Sequence, residues 1–130
     1  MIEITLPFPP NVNHYKRIGR LTRTKSGKLY QPRVNSPETL DFYYKTWMVI
    51  RDNGLKSFAG ATIDMDVDVF PPDKRKRDLD GILKVLLDSM QRGGLYDDDS
   101  QIARLLVTRC SIIPQGQVVV RLKEIKNEPL

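Results

Sequence analysis

The chain has 130 residues, a net charge of +5 and a single cysteine, Cys110. A chain of this length forms about one domain with a core that needs no cross-links, and a lone cysteine cannot form an internal disulfide. The absence of a signal-like leader and of any membrane-spanning apolar run excludes a membrane protein and indicates a cytoplasmic one.

The first third of the chain combines one strand, one long basic segment and one helix. Alternating apolar residues predict a strand over residues 2–6 that stops at Pro7. Residues 11–35 have no sustained period, contain no acidic residue and carry seven Lys or Arg side chains. They predict a mobile basic loop that becomes ordered on binding DNA, with a short hairpin around Gly27 as an alternative. Ser36 followed by Pro37 predicts the start of a helix.

The first helix carries apolar residues at helical spacing and ends at Gly54. We interpret this stripe as a core face, and base stacking by its tryptophan is the alternative. The stripe consists of Leu40, Tyr43, Tyr44, Trp47 and Ile50.

A second strand and a second helix follow. Residues 63–69 alternate between apolar side chains and three aspartates, which predicts a strand with one acidic face. An EF-hand loop requires Gly at its sixth position and Glu at its twelfth, but Val69 and Arg75 stand there, so we expect ion pairs or solvent on that face. Residues 80–92 form an amphipathic helix, and two further strands lie within 102–113 and 118–125. The order β-α-β-α-β-β predicts one α+β domain over residues 1–130, with two helices packed on one mixed sheet.

The polar face of the second helix is the candidate catalytic feature. Asp80, Lys84 and Asp88 fall at i, i+4 and i+8, in a row that begins beside Asp78. The segment after the helix is long enough to return along it, so we expect Asp99 to lie beside Asp78 and Asp80. Simple helix capping is the alternative for the first two aspartates.

Three converging carboxylates repel one another unless a cation lies between them. Oxygen ligands without Cys or His favour Mg²⁺, with Mn²⁺ as a possible substitute, and such a site is suited to phosphodiester hydrolysis. Lys84 is expected to stabilise the negative charge of the transition state or to help deprotonate water. The only histidine, His14, lies beside Lys16 and Arg17, where phosphate contact is a better assignment than general base catalysis.

Three segments resemble the RusA family of Holliday junction resolvases: ITLPFPPNVNHYKR, KRKRDLDGILKVLLD and LYDDDSQI. The resemblance implies catalytic, metal-binding carboxylates at Asp78, Asp80 and Asp99 and a catalytic lysine at Lys84. It also implies DNA contacts, which would be made by Asn11, Asn13, His14, Lys74, Arg75, Lys76 and Arg77. One position departs from the family pattern, because Gly81 stands where Asn is usual.

The sequence therefore predicts a Mg²⁺-dependent endonuclease that resolves four-way junctions by paired nicks in recombination and repair. The resemblance also implies a homodimer, which suits a symmetric branched substrate. Two alternatives remain open: a DNA-binding module without catalysis, and a nuclease of other branched or flap DNA.

Overall fold

The computed structural model describes residues 1–11 and 16–126. Its helices are α1 (Pro37–Asp52) and α2 (Asp80–Arg92), and a 3₁₀ turn spans Asp99–Gln101. The strands are β1 (Ile2–Pro7), β2 (Lys16–Ile18), β3 (Thr22–Arg23), β4 (Leu29–Tyr30), β5 (Arg33–Asn35), β6 (Thr62–Phe70), β7 (Ile102–Arg109) and β8 (Gln117–Ile125). Among the described residues no helix is long and apolar enough to cross a membrane.

The central sheet is mixed and has the strand order β1-β8-β6-β7. Strand β6 runs parallel to β7 and antiparallel to β8, which in turn is antiparallel to β1. Parallel strands require a crossover connection, and α2 provides it. The predicted α+β domain with two helices on one mixed sheet is confirmed, although β7 and β8 are separated by β6 and do not form a hairpin with each other.

The two faces of β6 differ as the sequence indicates. Its apolar residues are buried beneath the helices. Its aspartates lie on the open face, where Asp64 and Asp66 bind Arg104 and Asp68 binds Arg121. The prediction of an ion-paired acidic face is confirmed.

Helix α1 begins as its sequence predicts, because the Ser36 side chain accepts a hydrogen bond from the Thr39 amide and Pro37 occupies the first turn. The interpretation of its apolar stripe as core is wrong in part. The buried face consists of Thr39, Phe42, Tyr43, Thr46 and Ile50. Leu40, Tyr44 and Trp47 are 54%, 58% and 42% exposed. The helix therefore has a second apolar face directed to solvent.

The described part of the basic segment, residues 16–35, is an arm of paired strands rather than an irregular loop. Strand β2 pairs with β5, and β3 pairs with β4. The Thr24 amide donates to the Lys28 carbonyl at 2.8 Å across the turn, where Gly27 has a φ of 91°. The hairpin considered for Gly27 is thus present, and further pairing extends it to the base of the arm.

Candidate active site

Asp78 and Asp80 lie between the C-terminal end of β6 and the first turn of α2. Both residues are exposed. Helix α2 has no side-chain capping bond at its N-terminus, so the capping interpretation of these aspartates is wrong. Within residues 1–11 and 16–126, neither carboxylate has a hydrogen-bond or ion-pair partner. The two negative charges are therefore available to a ligand of opposite charge.

The adjacent basic run is held in place by Asp73, which the sequence analysis did not identify. Arg77 donates to both Asp73 carboxylate oxygens, at 2.7 and 3.1 Å, and Arg75 contacts the same group at 3.1 Å. These bonds hold the pKa of Asp73 well below its usual range, and the bond from Arg77 has the largest effect, followed by those from Arg75. Lys74 and Lys76 are exposed and are free of ion pairs among the described residues. The arginines thus order the run, while the lysines face solvent and are free to contact phosphate.

Two further contacts, with Phe8 and Arg109, hold Arg77 in place. Its guanidinium lies 5.6 Å from the Phe8 ring centroid, and the Arg109 side chain donates to its carbonyl at 2.7 Å. Arg109 is the last residue of β7. The segment that carries Asp78 is therefore fastened to the end of β7.

Asn11 lies against the first turn of α2. A Cβ atom built at Gly81 would approach Asn11 Nδ2 to 2.6 Å, so glycine at this position leaves space for the Asn11 amide. Gly81, where the family usually has Asn, therefore lies beside the side-chain amide of Asn11. Asn13 and His14 lie outside the described residues, while Lys16 and Arg17 are exposed in β2 at the base of the arm.

Asp99 lies at the opposite end of α2, and the predicted convergence of three aspartates in one chain is wrong. The Asp99 amide donates to Gln91 Oε1 at 3.1 Å, and the Leu95 amide donates to the Met90 carbonyl at 3.0 Å. Tyr96 donates to the Leu87 carbonyl at 2.6 Å. These bonds, together with the burial of Tyr96, hold the segment against the last turns of the helix. Asp80 is the first residue of this helix and Gln91 lies in its last turn, so Asp99 and Asp80 are separated by roughly 16 Å along the helix axis.

Lys84 is oriented toward this second end of the helix. Its ammonium group lies 3.3 Å from Asp88, which is one turn further along α2. Burial of Tyr96, together with the charges of Asp99 and Asp88, raises the pKa of its hydroxyl well above the usual range. The predicted row on α2 is therefore present, but it links two acidic groups at opposite ends of the helix.

Gln101 organises the segment that carries Asp99, and no sequence motif indicated it. Its Oε1 accepts hydrogen bonds from the amides of Asp97 and Asp98, at 2.8 and 3.2 Å. Its Nε2 donates to the carbonyls of Phe58 and Ala61, each at 2.8 Å. The acidic segment is thus fixed to the N-terminal end of β6.

The carboxylates are suitable magnesium ligands by chemistry but not by position within one copy. Among the described residues no group of three His, Cys, Asp or Glu side chains is arranged to hold a metal ion. Asp78 and Asp80 supply oxygen ligands at one end of α2, and Asp99 supplies another at the far end. A site with all three carboxylates therefore requires more than one copy of this chain.

Unpaired carboxylates surrounded by ordered basic residues on an α+β scaffold define a class, the nucleases that cleave phosphodiester bonds. A profile of the family described as endodeoxyribonuclease RusA matches residues 7–123. The chain is 30% identical over 127 residues to a crossover junction endodeoxyribonuclease of Enterobacteria phage HK97, covering 96% of each chain. It is 27% identical over 128 residues to the enzymes of the same name from Escherichia coli K12 and Shigella sonnei, covering 97% of each chain.

The chain belongs to the endodeoxyribonuclease RusA family and is a nuclease.

Proposed function

We propose that this nuclease resolves four-way Holliday junctions by paired symmetric nicks, as a Mg²⁺-dependent homodimer acting in DNA recombination and repair. The observation that carries the proposal is the pair of exposed, unpaired carboxylates, Asp78 and Asp80, beside a basic run whose arginines bind Asp73 instead. The relatives are named crossover junction endodeoxyribonucleases, which supports the junction as substrate.

Positive charge would hold DNA at the surface around the start of α2. Lys74 and Lys76 lie just before the carboxylates in the chain, and Lys16 and Arg17 add positive charge on the arm. Asn11, Asn13 and His14 are proposed to contact the DNA backbone. Contacts of this kind release counterions, so binding should weaken steeply as salt is added.

A homodimer is required to complete the metal site. In each site, Asp78 and Asp80 of one copy would combine with Asp99 of the other, because α2 keeps these groups apart within one chain. These oxygen ligands suit Mg²⁺, and Mn²⁺ shares the preference. When bound, the metal supplies an activated water and offsets charge on the leaving oxygen. Lys84, which lies on α2 between Asp80 and Asp88, would neutralise negative charge on the scissile phosphate.

A nicking assay tests the proposal. Wild-type protein and Asp78→Asn are incubated with a labelled synthetic four-way junction or a matching linear duplex, in Mg²⁺ or in EDTA. Symmetric nicks on the junction alone, only with Mg²⁺ and only by the wild type, are expected. Junction binding without nicking would instead indicate a binding module, and equal cleavage of a flap substrate would indicate a nuclease of broader specificity.

A further inference from the structure

The side chain of Asn11 fills a space that only glycine leaves open at position 81. Asn11 is half-buried and follows the buried Pro9, so its side chain reaches the first turn of α2. A Cβ atom built at Gly81 would lie 2.6 Å from Asn11 Nδ2, 3.4 Å from Cγ and 3.6 Å from Oδ1. These are the three nearest atoms, and all of them belong to the terminal amide of Asn11. That amide therefore occupies the space that any other side chain at position 81 would need.

The backbone at position 81 does not itself require glycine. Gly81 is a buried residue of α2, and its φ lies outside the left-handed region that favours glycine. Glycine is among the least favourable residues in a helix, because it loses the most conformational freedom on folding. The close approach of Asn11 is thus the feature of the structure that makes use of the missing Cβ atom.

The chain that follows β1 contacts the aspartate segment, residues 77–81, at both of its ends. The Phe8 ring centroid lies 5.6 Å from the guanidinium of Arg77, where the segment begins, and Asn11 meets Gly81, where it ends. The two carboxylates between these contacts have no ion-pair or hydrogen-bond partner within residues 1–11 and 16–126. Helix α2 also lacks a side-chain cap. The position of the carboxylates therefore depends on the contacts at the two ends of the segment.

The residues that make these contacts are held by the sheet and not by α2. Strand β1 pairs with β8 along its whole length, from Ile2 to Pro7. Phe8 packs closely on the turn before β8, since a Cβ atom built at Gly116 would lie 2.8 Å from Phe8 Cβ. Asn11 follows directly from this anchored stretch. It can therefore transmit the position of the sheet edge to the first turn of α2.

We propose that Asn11 is a positioning residue of the active site: its terminal amide, seated against Gly81, holds the first turn of α2 so that Asp80 faces the metal ion and the scissile phosphate. This inference rests on the proposed metal-dependent nuclease. A shift of about 1 Å in a catalytic group can lower a rate by roughly 100-fold. Loss of the amide should therefore lower the nicking rate constant. Loss of a contact to DNA alone would instead weaken junction affinity and leave that rate constant unchanged.

Two single variants and their combination test the inference. Asn11→Ala removes the amide, and Gly81→Ala adds the methyl group that displaces it. Each should lower the single-turnover nicking rate constant at saturating protein by about 10-fold or more, with little change in the junction Kd measured in EDTA. The double variant should be no slower than the slower single variant, because both changes remove the same contact. Asn53→Ala, which removes an asparagine at the end of α1 that donates to the Val49 carbonyl, should nick at the wild-type rate.

Urea unfolding separates positioning from folding, and rates are compared only where the variants are folded. The atom displaced in Gly81→Ala is the end of a flexible side chain and alanine favours a helix, so this variant should fold and decides the test if Asn11→Ala does not. The inference would be overturned by a wild-type nicking rate in folded Gly81→Ala, by effects that multiply in the double variant, or by lost affinity at an unchanged rate.

Mn²⁺ binding, followed by calorimetry, provides a readout that does not depend on nicking. Asn11→Ala and Gly81→Ala should each weaken it by about 10-fold, as is typical when a residue that orients a metal ligand is lost, and Asn53→Ala should not. Weakened Mn²⁺ binding in both variants, with a wild type that does not nick junctions, refutes the proposed function alone. A nicking wild type whose two variants keep its rate and Mn²⁺ affinity refutes the role of Asn11 alone, and a wild type that neither nicks nor binds Mn²⁺ refutes both.

Discussion

Mixing two inactive variants distinguishes a site shared between copies from a site within one chain. Asp80→Asn removes a carboxylate at the first turn of α2, and Asp99→Asn removes one at the far end of that helix. Each homodimer should lose activity by roughly 100-fold or more, because charge stabilisation in the transition state is lost at both of its sites. In a mixed dimer, one site carries both substitutions and the other site carries neither. The mixed dimer should therefore regain one intact site.

The size of the recovery follows from the symmetry. Random exchange of subunits makes about half of the dimers mixed, each with one intact site of two, so about one quarter of the wild-type sites are restored. Nicks in a labelled junction should recover to about that fraction, while paired nicks within one binding event should stay low.

The matched control mixes Asp78→Asn with Asp80→Asn. In the proposed site, Asp78 and Asp80 come from the same copy. Every site in every dimer therefore keeps a defect, and no recovery is expected. Equal activity in the two mixtures would refute the shared site. Full activity of the Asp99→Asn protein alone would refute the assignment of Asp99.

Three further predictions follow from the supporting residues. Gln101→Ala removes two acceptor contacts and two donor contacts that fix the segment before β7, and it should lower the free energy of unfolding by about 1–3 kcal/mol in urea titrations. Asp73→Asn should weaken junction binding at pH 7, because Arg77 and Arg75 lose their anchor. The lowered pKa of Asp73 means that this anchor is complete above the ordinary aspartate pKa and is lost only as the pH falls through the folded value, so wild-type binding should show no Asp73 titration between pH 5 and 8 in anisotropy measurements. Lys74→Ala should reduce the slope of log affinity against log salt by about one, with little dependence on DNA sequence.

Local sequence signals were sufficient to predict the two helices. Ser36 and Pro37 mark the start of α1 by capping chemistry that acts within one turn, and the period of residues 80–92 marks α2 with the bounds that the structure shows. The exposed face of α1 was mistaken for core because Leu40, Tyr44 and Trp47 satisfy helical spacing as well as the buried residues do. Periodicity identifies a helix, but it does not decide which of two apolar faces a sheet will cover.

The sequence indicates that Asp78 and Asp80 lie beside the basic run, as the structure shows, but it does not indicate where Asp99 lies. Chain length permits Asp99 to return along α2, and nothing in the local pattern opposes that course. The opposite course is set by contacts between distant parts of the chain: Gln101 bonds to the carbonyls of Phe58 and Ala61, and Tyr96 is buried against α2. Such contacts have no sequence period.

The parallel connection between β6 and β7 explains why the three carboxylates do not meet in one copy. A helix that connects two parallel strands must run antiparallel to both, so whatever follows the helix begins at the end of the sheet where the first strand began. Asp78 and Asp80 come before α2 and Asp99 comes after it, which separates them by the length of the helix whatever their side chains do. In the proposed homodimer, a two-fold partner would reverse that direction and bring the end of one helix near the start of the other. The topology that divides the carboxylates in one chain would then allow two chains to complete two equivalent sites, one for each strand that a symmetric junction presents for cleavage.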